Sequence, residues 1–457
     1  MKIRTTLITI IVVLMTIGYT SLTFGAISAD EANKLGGSEL TPLGAIKAGN
    51  ADGSIPAWTG VQIPVPKGYK KGSGLYVDPF ADEKPLFSIN AKNMAQYADK
   101  LAEGVKALMR KYPDYRIDIY PTHRTAVFPQ SYDDLTKKSA MACQISKNGR
   151  AITGKGCYGG VPFPIPKSGD ELLWNHQMCF TAPEASSIHY ENFNLTSTGK
   201  LSLASQSLHY YDLIWNDPGN DNDWKAVYYR YDWVGPPRRN GEIILLTYPK
   251  DWAAKGSVIW QYLPGQRRVR LAPDICCDTP SSSTGGASTY DDTAVFNGDP
   301  ERYDWKLIGK KEMYIPYNAY KMIFYRGPVE KALLSHYINP DMVRWELHRL
   351  WVVEAKLKPG KRHVYSKRVI YFDEDSYTLV MGDNYDKLGN LYRMTVAYPT
   401  WSYDVQAIYR NATSFHDMIS NSYAINVWPR LSSGLQYMKF HPASFYSPDS
   451  IAGGGLR

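Results

Sequence analysis

The stretch Ser257–Pro273, SVIWQYLPGQRRVRLAP, sets two short runs of strand-forming residues on either side of Leu263-Pro264-Gly265-Gln266. Proline fixes φ for the first central position of a turn, and glycine supplies the positive φ the next can need, so the segment is predicted to be a β-hairpin. Alternation along the first run places Val258, Trp260 and Tyr262 on one face and Ile259 and Gln261 on the other. In the return run, Arg267 to Leu271, Arg268 and Arg270 share a face opposite Arg267, Val269 and Leu271. On pattern alone this is a hairpin with a basic outer face.

The same grammar extends in both directions. From Ile188 onward the chain reads mostly as strand, turn, strand. Candidate strands are 202–214, 224–233, 242–248, 305–313, 343–355, 363–372, 377–385, 391–398 and 403–409, joined by turns such as Asn240-Gly241 and Lys387-Leu388-Gly389-Asn390. Short links imply antiparallel pairing in order, and an open sheet of so many strands tends to curl or close. No fixed-period repeat is present, which disfavours propellers and solenoids. Asp274–Pro300 breaks the pattern as a long polar loop, placed to cover the mouth of a cavity. Upstream, residues 27–88 are rich in Gly and Pro and read as an extended arm, followed by a single domain over 89–457. Met94, Tyr97, Ala98, Leu101, Val105, Leu108 and Met109 follow helical spacing, predicting a helix over 90–112 ahead of Pro113. A second helix is predicted over 131–146 with Ser131 as N-cap, and a short one over 169–180.

The N-terminus sets the expected address. Lys2 and Arg4 precede an apolar core from Leu7 to Leu14, with small residues near Gly25, so residues 1–26 read as a signal peptide and the mature chain as periplasmic. Tyr and Trp, 35 and 12 of them, suit half-buried pleated walls and point to a β-rich protein. The formal charge is +8, and +6 without Lys2 and Arg4. Spread over this length and without a Lys/Arg block, it does not imply nucleic acid. Of the five cysteines, Cys143 and Cys157 are placed for a local bridge. Cys179 could meet Cys276 or Cys277, and the odd count leaves one thiol over.

Motifs for catalysis are not found: there is no G-x-S-x-G elbow, H-E-x-x-H, Walker loop or dinucleotide fingerprint. The expectation is therefore a protein that is not an enzyme, with no cofactor and no metal. Asp373-Glu374-Asp375 reads as a solvated turn, and Trp174-Asn175-His176 as a His and Asn bonding nearby backbone beside a buried Trp. Set beside Gly160–Pro166, Lys310–Asn318, Trp345–Ala355 and Tyr371–Asp375, the opening hairpin resembles a family of exported bacterial proteins of unknown function, often labelled outer-membrane lipoprotein-sorting-like. The resemblance covers nearly the whole mature chain. It implies a mainly β (α+β) fold similar to the Lol-pathway lipoprotein carriers: a large curled antiparallel sheet forming a half-barrel, covered by N-terminal helices. It also implies an inner-membrane exporter and an outer-membrane protein as neighbours, but brings no catalytic residues with it. This chain is larger than a Lol carrier, and the arm and long loop have no counterpart there.

The function expected from this is a periplasmic carrier or chaperone that binds a lipid or other hydrophobic molecule in a half-barrel cavity and serves an envelope transporter. The alternative is a structural adaptor or assembly factor for outer-membrane components, with a filled core. A third reading is an enzyme on hydrophobic substrates centred near His176. Candidate ligand-binding residues, by strand position, are Trp260, Tyr262, Trp345, Trp351, Tyr371 and Tyr392. Arg268 and Arg270 are candidates for a phosphate or carboxylate head group, and helix 90–112 is expected to act as lid or plug.

Overall fold

Alternating aromatic and β-branched residues, punctuated by tight turns, pair here into one sheet of sixteen strands. The structure is a computed structural model that describes residues 26–220, 224–431 and 433–452. The predicted signal peptide, apart from Ala26, and the Gly453-Gly454-Gly455 tail lie outside them. In chain order the strands are β1 (Phe87–Asn90), β2 (Arg116–Ile119), β3 (Ala185–Leu195), β4 (Leu201–Asp212), β5 (Lys225–Gly235), β6 (Ile243–Pro249), β7 (Val258–Leu263) and β8 (Arg268–Leu271). Then come β9 (Tyr303–Pro316), β10 (Arg344–Leu357), β11 (Lys367–Asp373), β12 (Leu379–Tyr385), β13 (Leu391–Ala397), β14 (Thr413–Asp417), β15 (Tyr423–Trp428) and β16 (Leu435–Met438).

Their order is β1-β2-β10-β11-β12-β13-β14-β15-β3-β4-β5-β6-β7-β8, with β9 along β10 and β16 on β3. Two meanders, β3–β8 and β10–β15, are each built in sequence order. A long-range pairing of β15 with β3, Tyr423 opposite Leu195, joins them. Among the described residues the one parallel pairing of strands is β2 with β10. The fold is thus mainly β with one large open mixed sheet. The Ser257–Pro273 hairpin is its far end, with Leu263 opposite Arg268 and Trp260 opposite Leu271. One detail differs from expectation. Pro264–Gln266 forms a single 3-10 turn, and the left-handed residue that closes it is Arg267 (φ 47°), not Gly265. The turn uses three residues, so the reversal falls on the fourth.

The sheet is curled, and a simple length argument shows it. Strands β5 and β12 are six places apart, which is roughly 29 Å in a flat sheet at ~4.8 Å per strand. Yet Val295 lies against Gly382 on β12, while Asn297, two residues on, donates to the Tyr229 hydroxyl on β5 at 3.2 Å. Two residues span at most about 7 Å. Strands β5 and β12 therefore face each other across the 274–300 loop, which lies on the concave side.

Helix α1 (Ala29–Lys34) is closed by a Ser28/Glu31 capping box. The helix predicted over 90–112 is instead two pieces, a 3-10 segment Met94–Lys100 and α2 (Glu103–Lys111). Leu101 and Ala102 between them are extended and buried. A tertiary contact explains the break: the Asp383 carboxylate on β12 accepts from the Glu103 and Gly104 backbone N–H groups, so the helix starts where that carboxylate caps it. Asp383 and its neighbour Tyr371 point away from the loop-facing Ile370 and Gly382, so α2 covers the convex face. It is not the plug. Helix α3 (Gln130–Ala142) starts one residue before Ser131, with Pro129 at its N-cap, and ends where Cys143 enters its disulfide with Cys157. Helix α4 (Gly169–Gln177) enters the concave side, where Gly169 packs against Trp305 and Val353.

Residues 27–86 contain α1 and little other regular structure. They are held by side chains of the sheet and of the segment after β2: Arg349 on β10 donates to the Ile46 and Ala48 carbonyls, and Arg124 to those of Ile46 and Lys47. Gly44 sits at φ 88° where a Cβ would meet the Pro164 carbonyl oxygen at 1.8 Å, so only glycine fits there.

Candidate functional site

Strands β4 to β6 turn one side chain in two toward the interior, and on β5 three of the four from Val227 to Trp233 are aromatic. Tyr229, Tyr231 and Trp233 on β5 stand opposite Tyr211, His209 and Ser207 on β4. Ring centroids run in a chain: Trp252 to Tyr248 at 4.9 Å, Tyr248 to Tyr229 at 5.2 Å, Tyr229 to Tyr231 at 6.3 Å and Tyr231 to Trp233 at 6.0 Å. These are stacking distances, so the rings form one continuous wall. His209 stacks on Tyr231 at 4.2 Å, and burial pushes its imidazole down to about 3, leaving it neutral. Neither of its ring nitrogens, nor the Trp252 indole N–H, has a hydrogen-bond partner among the described residues.

A cleft of about 330 Å³ opens between this wall and the long loop. Leu246, Tyr248, Trp252 and Ile259 supply its sheet side, Ile275, Cys276, Cys277 and Tyr290 its loop side, and Arg150 and Arg302 its polar rim. Both arginines are paired, Arg150 with Asp299 and Arg302 with Asp278, each at 2.6 Å. Deeper in, between the same wall and Arg410, the remaining space is about 10 Å³. The concave side is largely filled by the protein's own residues.

What fills it is a loop pinned by charge. Arg368 on β11, wholly buried, donates to Asp291 at 2.8 Å and to Asp292 at 3.3 Å. His363 meets Asp291 at 3.0 Å, and Arg393 and Tyr365 both reach Asp292. Burial alone would raise the Asp291 carboxyl, but Arg368 and His363 hold it well below the usual carboxylate range, so the pair is ionic. On the opposite wall, Asn192 and Asn194 of β3 donate to the Ser283 and Thr284 carbonyls, and Arg239 holds Ser282. The loop is tied to both meanders.

A second charged group corrects the sequence reading. Asp373-Glu374-Asp375 is not a solvated turn, for all three are buried. Arg124 makes a two-pronged bond to Asp375 at 2.6 and 2.8 Å, and Arg349 and Lys310 hold Glu374. Tyr317 and Ser376 donate to Asp373, whose carboxyl is pushed up to about 6 by burial and by the charge of Asp375. His348, Asp373 and Asp375 bring ligand-type atoms within 4.8 Å of one another. Since both Asp375 oxygens already meet Arg124, the arrangement works as an ion-pair network that fastens the arm. Trp174-Asn175-His176 bonds backbone: Trp174 donates to Gly149, Asn175 exchanges two bonds with Phe163, and His176 accepts from Leu379.

The eight sequence-predicted ligand residues do not converge. Trp260 and Tyr262 face away from the cleft and pack with Ile243, Leu245 and Ile451 of the C-terminal helix. Arg268 and Arg270 are exposed on the edge strand, Arg270 bonding Gln261. Trp345 is buried among Tyr115, Tyr337 and Met394, while Trp351 lies under Lys310 at 4.2 Å. Tyr371 donates to Asp383 on the convex side at 2.9 Å, and Tyr392 flanks Arg393. Of the wall, Tyr229, Tyr231 and Tyr248 were not singled out by the sequence, although Tyr248 lines the cleft. Their alternation was visible within the predicted strands, but not which face the sheet would curl around. Cys179 is a buried free thiol and does not pair with Cys276 or Cys277.

Fold and site together define a mainly β protein whose open, curled sheet encloses its own loop, with an aromatic cleft at one end. The chain belongs to the family described as "Protein of unknown function (DUF1329)", whose model matches residues 88–452. It is 36% identical over 444 residues to an uncharacterized protein of Pseudomonas aeruginosa, covering 94% of this chain and 95% of the relative. Solved structures similar to it include a DUF1329 family protein of Desulfovibrio piger, with TM-score 0.42 and 15% identity over 62% of this chain and 97% of that one. Others are a domain named for outer membrane lipoprotein sorting from Vibrio parahaemolyticus (TM-score 0.43, 12% identity, 63% and 98%) and a LolA superfamily protein of Nitrosomonas europaea (TM-score 0.35, 10%, 62% and 100%).

Proposed function

We propose that the protein is a non-enzymatic periplasmic carrier or chaperone that holds a lipid or other hydrophobic molecule against the Tyr248–Trp252 end of the wall and hands it to envelope transport partners. The observation that carries this reading is the cleft. Its volume of about 330 Å³ is at the lower end of ordinary ligand sites. Its floor is apolar, made by the Tyr248 and Trp252 rings with Leu246 and Ile259. Enclosing roughly ten methylenes is worth about 8 kcal/mol at ~0.8 each, an upper bound before ordering costs. Binding of that strength needs no covalent chemistry. Export is supported by the N-terminal pattern and by the Cys143–Cys157 disulfide, which belongs to an oxidising compartment.

One observation favours the second reading, an adaptor or assembly factor with a filled core: the loop and its Arg368 network already occupy most of the concave side. Native mass spectrometry of the protein from its own periplasm, with lipid extraction, separates the two. The carrier reading expects a stoichiometric hydrophobe that is lost in Tyr248→Asp and kept in Trp260→Asp. A clean apo mass together with no uptake of fluorescent fatty acids would leave the adaptor as the better account.

A further inference from the structure

We infer that Cys276 and Cys277 are a redox pair that closes into a vicinal disulfide in the wall of the cleft. Both line the cleft, and their sulfur atoms stand 2.7 Å apart. Successive Cα atoms are only about 3.8 Å apart, against about 4.4–6.8 Å across an ordinary disulfide, so neighbours can join only where the backbone folds sharply between them. It does so here. Cys277 adopts φ 57°, a left-handed conformation that is costly for a residue with a Cβ. Three backbone bonds hold the bend: Cys276 donates to the Asp274 carbonyl, Thr279 to that of Cys276 and Asp291 to that of Cys277. The last comes from the residue that Arg368 pins, so the bend is tied into the loop's main anchor. The inference also accounts for the odd cysteine count: Cys143 and Cys157 are bridged, Cys179 is buried alone, and the vicinal pair takes the other two.

The chemistry balances with an external disulfide as oxidant, either oxidised glutathione or a protein thiol oxidant. The Cys276 thiolate attacks one sulfur of that disulfide, whose S–S bond breaks and releases one thiolate. Cys277 then loses its proton to water and attacks the Cys276 sulfur, expelling the second thiolate. The pair has lost two electrons and two protons, and the oxidant has become two thiols. Cys276 suits the first role, since the Arg302 guanidinium, which lines the same cleft, favours its thiolate. Closing the ring removes both S–H groups from the cleft wall and locks the left-handed bend.

The experiment uses the folded full-length protein incubated with oxidised glutathione, quenched in acid, denatured, alkylated and digested with trypsin. The peptide Leu271–Arg302 contains both cysteines and no other. It is expected two hydrogens lighter than its reduced form and unalkylated, with Cys179 the sole alkylated residue. Two alkylated cysteines in that peptide, a stable glutathione adduct on it, or a cross-link to Cys179 would each overturn the inference. A Cys277→Ser variant is expected to stop at the mixed disulfide and retain glutathione on Cys276; an unmodified Cys276 there would refute the order of attack.

Discussion

Replacing Arg368 by methionine tests what holds the interior loop in place. The side chain is wholly buried, bonds Asp291 and Asp292, and lies against the Tyr365 ring at 4.7 Å. Methionine keeps most of the packing volume but leaves Asp291 facing only His363 and Thr289. Removing one partner of a buried pair costs about 3–5 kcal/mol, because the other charge stays desolvated and unmatched. At ~2.1 cal/mol/K per residue over about 430 residues, the unfolding entropy is roughly 0.9 kcal/mol/K, so Tm should fall by about 3–5 °C. The double variant Arg368→Met/Asp291→Asn removes the orphaned charge while Asp292 keeps Arg393, so it should recover part of that loss. Calorimetry gives both numbers, and limited proteolysis should show new cleavage within 274–300 in the single variant. A Tm within 1 °C of the parent, or a double variant less stable than the single, would mean that the Arg368 pairs do not hold the loop.

Three further outcomes are expected. Burial pushes the Asp383 carboxyl up from 3.8 to about 6. A carboxyl raised on folding favours the protonated native state, so its contribution is full below about pH 4 and lost as pH rises through 6. The two units amount to about 3 kcal/mol. Asp383→Asn keeps an acceptor for the α2 N–H groups and should flatten the urea-stability profile by that amount between pH 4 and 7; an unchanged slope would contradict the assignment. Glu346 has the opposite sign: burial would raise it, but His348 and Arg344 hold it at about 2, so its contribution is present above about pH 4.5 and is lost as pH falls toward 2. Glu346→Gln should remove that acid-side loss in a titration carried from about pH 5 down to about pH 2. Cys143→Ser opens a bridge of sequence separation 14 and should cost about 3 kcal/mol, read as a Tm about 3 °C lower that reductant does not lower further.

Much of the sheet was legible because its information is local. Period-2 alternation and turn residues mark β4 to β8 and β10 to β13 within a few positions of where they lie. The strands missed are β1, β3 and β14 to β16; β3 takes two of its partners, β15 and β16, from the far end of the chain, and no local pattern carries that register. The break in the 90–112 helix escaped for the same reason, since the carboxylate that caps α2 comes from Asp383, some 280 residues away.

The charged residues carry the same lesson further. Three acids in a row between aromatic strands look solvated because local sequence contains nothing to neutralise them; their partners, Arg124, Lys310 and Arg349, lie 25 to 251 positions away. The polar loop is the parallel case, with Asp291 and Asp292 matched by Arg368 and Arg393 about 75 to 100 residues downstream. A polar segment can line a protein interior only where each charge is met, since an unmatched buried ion costs several kcal/mol. That requirement bears on function. A loop held by ion pairs opens at a cost set by a few identifiable groups, whereas one held by diffuse apolar packing has no such handle. If the cleft is a ligand site, the Arg368 network therefore sets how far it can widen, and Arg368→Met should raise fatty-acid uptake even as it lowers stability. Equal loss of both would mean that the loop shapes the site and does not restrict it.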